Sequence, residues 1–144
     1  MNGGILSYKE IATYIVIILI GIVAAQHMNV VVSGSMEPVM YRGDIVIVNK
    51  NPNTVQVGDI AIYSGTWPHG VPEDIIHRII LIGQLSNGTT AMEFKGDNNP
   101  SPDPDVVYPN QIVAKVVTIN EHPLILPKIG YISIWFKELM GQNV

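Results

Sequence analysis

A mainly β fold, built as a small coiled sheet or partial barrel behind one N-terminal transmembrane helix, is the class this sequence predicts. Three observations predict it. Apolar residues crowd into one uninterrupted segment near the N-terminus, β-branched runs of strand length follow, and Gly, Pro and Asn punctuate those runs. Hydrophobic residues make up 47% of the 144 positions, and the mean hydropathy is +0.28; the N-terminal segment carries much of that excess. The resulting division is an anchor over 1–28, a β-rich domain over 29–122 and an apolar C-terminal segment over 123–144.

The anchor reads IATYIVIILIGIVAA from Ile11 to Ala25, without a charge. Fifteen helical residues span about 22 Å, short of a hydrocarbon core of roughly 30 Å. A snorkelling Lys9 or the weakly polar stretch from Gly3 to Ser7 makes up part of the deficit. A cleaved secretory signal and a buried core helix are the competing readings. Against the first, Lys9 and Glu10 cancel, so the flank lacks net positive charge. That single lysine points only slightly to an inside N-terminus.

The period then changes from helix to strand. Val30–Val32 is β-branched and leads into SGSMEP (33–38). Asp44–Val48 reads DIVIV and Asp59–Tyr63 reads DIAIY, each preceded by a glycine, Gly43 or Gly58, that marks a turn. Asn49–Asn53 is a loop. Ile75–Ile82, Thr90–Lys95 and Ile112–Ile119 complete the strands, and Gly96–Pro109 is the longest loop. The final stretch, Leu124–Met140, is broken by Pro127, Lys128, Gly130 and Lys137. Its Tyr131, Trp135 and Phe136 suit either a membrane interface or packing on the core.

Charge and cysteine content exclude several classes. A net charge of −4 with 8 Lys+Arg cannot supply the basic patch that nucleic acid requires, and no polybasic run binds anionic lipid. Without cysteine there is no disulfide, thiolate zinc site or cysteine nucleophile. No cofactor is expected. No HxH or HExxH spacing signals a metal site, and the acidic loop lacks EF-hand spacing.

Ser35 sits between Gly34 and Met36 in a turn closed by Pro38. A serine there is either a turn residue or a nucleophile presented on a sharp bend. His77 lies among Ile75, Ile76, Ile79 and Ile80; strand alternation puts Ile75, His77, Ile79 and Leu81 on one face and Ile76, Arg78, Ile80 and Ile82 on the other. It is either a hydrogen-bonded core histidine or a base, since an ordinary imidazole takes a serine proton near neutral pH without tuning. His27, His69 and His122 have less suggestive settings. Carboxylates come from KGDNNPSPDPD, as Asp97, Asp103 and Asp105, in what is otherwise an Asx-rich surface turn.

Taken in order, SGSMEP, IIHRII and KGDNNPSPD, with the GDIVIV and VGDIAIY strand openings, resemble signal peptidase I of the archaeal and endoplasmic-reticulum type. The resemblance implies Ser35 as nucleophile, His77 as general base where bacterial relatives carry lysine, and Asp103 as the carboxylate orienting His77. It also implies Asp97 as a second supporting acid and Ser33 as an oxyanion donor beside the Ser35 N–H. It further implies a membrane-bound serine endopeptidase with its catalytic domain on the extracytoplasmic side of the cell or endoplasmic-reticulum membrane. Its partners would be the lipid bilayer and the signal peptides of secretory preproteins, cut after a small residue.

Ser35 follows the apolar run by ten residues, at most about 33 Å of extended chain, so the site is expected near the membrane face. The substrate is expected to add as a strand to Val30–Ser33 or Val57–Tyr63. A Ser–Lys peptidase, a tethered peptide-binding β domain and a metal site built on His77 and the aspartates are the other readings.

Overall fold

A computed structural model of the chain describes residues 7–52, 54–66 and 70–141. Helix α1 runs from Tyr8 to Gln26, longer than the apolar run by Tyr8, Lys9 and Glu10 at one end and Gln26 at the other. Ser7 starts it. Its hydroxyl accepts the Glu10 N–H while the Glu10 carboxylate accepts the Ser7 N–H at 2.7 Å, a reciprocal cap that draws Lys9 and Glu10 into the first turn. Nineteen residues give about 28 Å, which closes most of the expected deficit. No residue of α1 is buried, so the core-helix reading is overturned: its apolar surface faces outward on all sides.

The strands are β1 (Met28–Val30), β2 (Ile45–Asn49), β3 (Ile60–Gly65), β4 (Glu73–Gln84), β5 (Thr90–Lys95), β6 (Ile112–Val116), β7 (Thr118–Ile119), β8 (His122–Pro123) and β9 (Ile125–Leu126). An antiparallel sheet in the order β1-β2-β6-β3-β4-β5 carries the site, with β9 also pairing β2. It coils without closing, as the partial-barrel expectation requires.

One turn is used twice to start strands. Tyr41 O accepts the Asp44 N–H at 3.0 Å, and the Asp44 carboxylate accepts the Tyr41 N–H at 2.8 Å. Gln56 and Asp59 repeat the exchange at 3.1 and 2.8 Å. In both, the glycine before the aspartate has positive φ, +89° at Gly43 and +97° at Gly58. A type II turn needs that conformation at its third position, and only glycine adopts it without strain. The repeated Gly-Asp pairs are therefore strand starters.

Strand β3 is the middle of the molecule. Ile60 and Ile62 face one core with Val31, Met36, Met40, Val46 and Val116, while Ala61 and Tyr63 face a second with Ile79, Met92, Phe94 and Val107. A strand buried on both faces reads as a continuous apolar run, as DIAIY does. Because β4 and β6 pair with its two edges, β3 has no free edge. Addition of a substrate strand to Val57–Tyr63 is thus ruled out for the paired part of that segment. β1 is an edge strand and keeps that capacity.

In β4 the simple alternation fails after Ile79. The register against β5 slips between Ile79 and Leu81, and Leu81 turns outward at 51% exposure while Ile82 joins the core that holds Ile79. A bulge inserts one residue and exchanges the faces beyond it. His77 lies before the bulge, so its inward direction is unaffected.

Helix α2 (Tyr131–Leu139) buries only Ile134. It is moored to the first Gly-Asp turn: Gly130 N–H donates to Gly43 O at 2.9 Å, Lys128 N–H to Asp44 at 3.0 Å, and Arg42 pairs with Glu138 at 2.8 Å. Ile132, Trp135, Phe136 and Leu139, spaced as one helical face, are 58–75% exposed. Core packing in this segment is therefore confined in α2 to Ile134, while Ile125 before it packs on the first core.

Candidate active site

Ser35 is presented by a turn whose next residue is an anchor. Met36 is completely buried, as is Met40, and Met36 O accepts the N–H groups of Val39 and Met40 at 3.0 Å. The acidic loop braces the turn from outside. Asn98 N–H donates to Ser35 O at 2.8 Å, and the Asn98 side chain donates to Gly34 O at 3.1 Å. That approach needs Gly96: a Cβ there would stand 2.6 Å from Ser35 O.

His77 is 3% exposed on β4, directly opposite Ala61 of β3, whose small side chain leaves room for the imidazole. Its Nε2 lies 3.0 Å from Ser35 Oγ and its Nδ1 lies 2.6 Å from Asp103 Oδ2. The Asp103 side chain is 2% exposed, and its N–H donates to Phe94 O at 2.8 Å. With the proton on Nδ1 directed to Asp103, Nε2 is left as an acceptor for the Ser35 hydroxyl. Ser33 Oγ lies 3.2 Å from Ser35 Oγ. Such an arrangement can abstract the serine proton and return it to a leaving group.

Asp97 does not join this set. Arg78, which faces away from His77, holds it through two parallel bonds of 2.8 and 2.7 Å and reaches Gly58 O at 2.8 Å. The paired carboxylate pushes the Arg78 guanidinium pKa still higher, against a smaller opposing effect of burial. Asp97, expected as a second supporting acid, does not touch His77; it ties the acidic loop to β4, one residue from Asn98. Asp105 is exposed.

Of the other histidines, His27 Nδ1 lies 3.2 Å from Val48 O and His122 is in β8; His69 lies outside the described residues. Lys95 points to Gly96 O at 3.4 Å. Among the described residues, no three His, Cys, Asp or Glu side chains form a metal-holding group.

Three contacts escaped sequence reasoning. Arg78 and Asn98 are polar residues inside motifs already singled out, but nothing in their spacing named a partner. Tyr63 donates its hydroxyl to Asp103 Oδ2 at 2.8 Å. Its only sequence signal is its place on the same face of DIAIY as Ala61.

Residues 5–83 match the family described as signal peptidase, peptidase S26, over more than half of the chain. The chain belongs to the signal peptidase family. An uncharacterized protein of Methanocaldococcus jannaschii is 34% identical, with 78% of this chain and 84% of that one covered. The signal peptidase complex catalytic subunits of Komagataella phaffii and Saccharomyces cerevisiae (strain YJM789) are 32% and 33% identical, covering 76% and 80% of this chain. The chain spans about two thirds of those yeast subunits, 66% and 68%. As a signal peptidase family member the protein is a serine hydrolase. The family match contains Ser33, Ser35, His77 and Arg78, and ends before Asp97 and Asp103.

Proposed function

We propose that this signal peptidase removes signal peptides from secretory preproteins at the membrane surface, with Ser35 as nucleophile, His77 as general base and Asp103 orienting the imidazole. The observation that carries the reading is the continuous hydrogen-bonded path from Ser35 Oγ through His77 to Asp103, buried at its histidine and carboxylate.

As Ser35 Oγ attacks the scissile carbonyl, its proton passes to His77 Nε2 and the imidazolium is stabilised by Asp103. His77 then protonates the leaving amine, and water repeats the sequence on the acyl-enzyme. Ser33 Oγ and the Ser35 N–H supply the oxyanion donors. The hydrogen bonds of the turn, from Glu37 N–H to Gly34 O and from Val39 and Met40 N–H to Met36 O, leave the Ser35 N–H out. One such donor lowers the barrier by roughly 3–4 kcal/mol. The cleavage segment lies extended along the free edge of β1 and Val32–Ser33, so that alternate side chains enter small pockets.

Helix α1 spans the membrane, and the sheet starts one residue after it. The exposed face of α2 lies in the interface on the same side, since Gly130 at its start abuts Val30 of β1. Trp135, Phe136 and Lys137 have the amphipathic character of interfacial anchors.

Cleavage of a model preprotein in detergent tests the proposal. Wild type should cut after a small residue, and Ser35→Ala and His77→Ala should both lose that cleavage. Folded wild type that binds the preprotein without cutting it would instead indicate a tethered peptide-binding domain.

A further inference from the structure

Asp103 is held through one oxygen. Its Oδ2 accepts both His77 Nδ1–H and the Tyr63 hydroxyl, while its Oδ1 is buried without a hydrogen-bond partner. Asp103 also lines a cavity of about 340 Å³, together with Tyr63, Ile75, Asp105 and Gln111. The terminal torsion of an aspartate is broad, so rotamer preference alone does not keep Oδ2 on the imidazole. Rotation away from His77 would have to break both bonds to Oδ2 at once.

We infer that Tyr63 is a positioning residue for the peptidase reaction, keeping Asp103 Oδ2 on His77 Nδ1. The inference rests on the Ser35–His77–Asp103 reading given above. Tyr63 is placed for this role by β3: Ala61 stands opposite His77, and Tyr63 is the next residue on the same face. Its ring is fixed against Phe94, with centroids 4.6 Å apart and planes at 47°, and Phe94 O also accepts the Asp103 N–H. One aromatic residue thus braces both partners of the bond.

The hydroxyl also spreads the charge of Oδ2, so Asp103 attracts the imidazolium proton less than it would alone. Burial first, and the Asp103 carboxylate second, push the Tyr63 phenol far above its ordinary value, so it remains a donor at working pH. The polar groups facing His77 are Ser35 from its turn, Asp103 from the acidic loop and Tyr63 from β3 through Asp103; β5 contributes apolar Met92 and Phe94 to this side.

Tyr63→Phe removes the hydroxyl and keeps the ring contact with Phe94. Its kcat should fall about 10-fold with KM unchanged, the size expected for losing one bond to a charged group. The acid limb of its pH–rate profile should move to higher pH, because an Asp103 freed of one donor favours the protonated pair. In an Asp103→Asn background, the same substitution should cost less than about 2-fold. An unchanged kcat and acid limb would overturn the inference. Equal losses in the two backgrounds would also overturn it, because a purely structural tyrosine acts independently of Asp103. His77→Ala separates this claim from the one beneath it. If His77→Ala cleaves like wild type, the Ser–His reading itself falls; if it is inactive while Tyr63→Phe is normal, only the role of Tyr63 is lost.

Discussion

Two aspartates six residues apart occupy different environments, and the difference is chemical. Asp103 Oδ2 meets a buried imidazole, whereas the Asp97 carboxylate is committed to a guanidinium that is 31% exposed. Asp103→Asn should therefore lower kcat on the order of 10³-fold or more with little change in KM, because the imidazole loses the acceptor that sets its tautomer. Asp97→Asn should act mainly on stability, by roughly 1–2 kcal/mol in a urea titration, with activity lost only as the loop loosens. Gly96→Ala probes that loop directly. Its new Cβ would collide with Ser35 O, and a shift near 1 Å should cost about 10²-fold in kcat while the melting temperature changes far less.

At the scale of elements, the Ser35 turn depends on what lies under it. Met36 is fully buried against the sheet, so Met36→Ala should cost about 2–5 kcal/mol and release Ser35 from its place beside His77. Circular dichroism melts together with kcat would show whether both change. Helix α2 offers the contrary case, a face that the protein core does not use. Trp135→Glu combined with Phe136→Glu should weaken vesicle binding while leaving cleavage of a soluble peptide intact. Equal vesicle binding by the double variant would remove α2 from the interface. The bulge in β4 shows how local the alternation rule is: it orients His77 correctly and misplaces Leu81 only four residues later.

For the whole molecule, one short strand, β1, links the apolar helix α1 to the sheet that brings Ser35, His77 and Asp103 together. Removing residues 1–26 should leave hydrolysis of a soluble peptide within a few-fold and sharply reduce processing of a membrane-inserted preprotein. The buried phenol gives the fold an alkaline weakness. Because the Tyr63 pKa is raised in the folded state, its stabilising effect is complete below the unfolded value of about 10 and is lost as pH rises above it. Urea midpoints should fall between pH 9 and pH 11 in wild type, and less steeply in Tyr63→Phe.

What was legible from residues alone depended on the range of the underlying physics. The apolar helix, the Gly-Asp strand starters and the doubly buried DIAIY strand are written in near neighbours, because turn geometry and side-chain period act over a few residues. The SGSM box and the histidine in its isoleucine run carried the family resemblance for the same reason. Spacing left Asp97, Asp103 and Asp105 equivalent. Contacts across 26 and 40 residues, His77 to Asp103 and Tyr63 to Asp103, arise only once β3, β4 and the acidic loop are packed together. Tertiary structure alone also closed both edges of β3, since strand order depends on which hydrophobic faces find each other and no single strand encodes its neighbours.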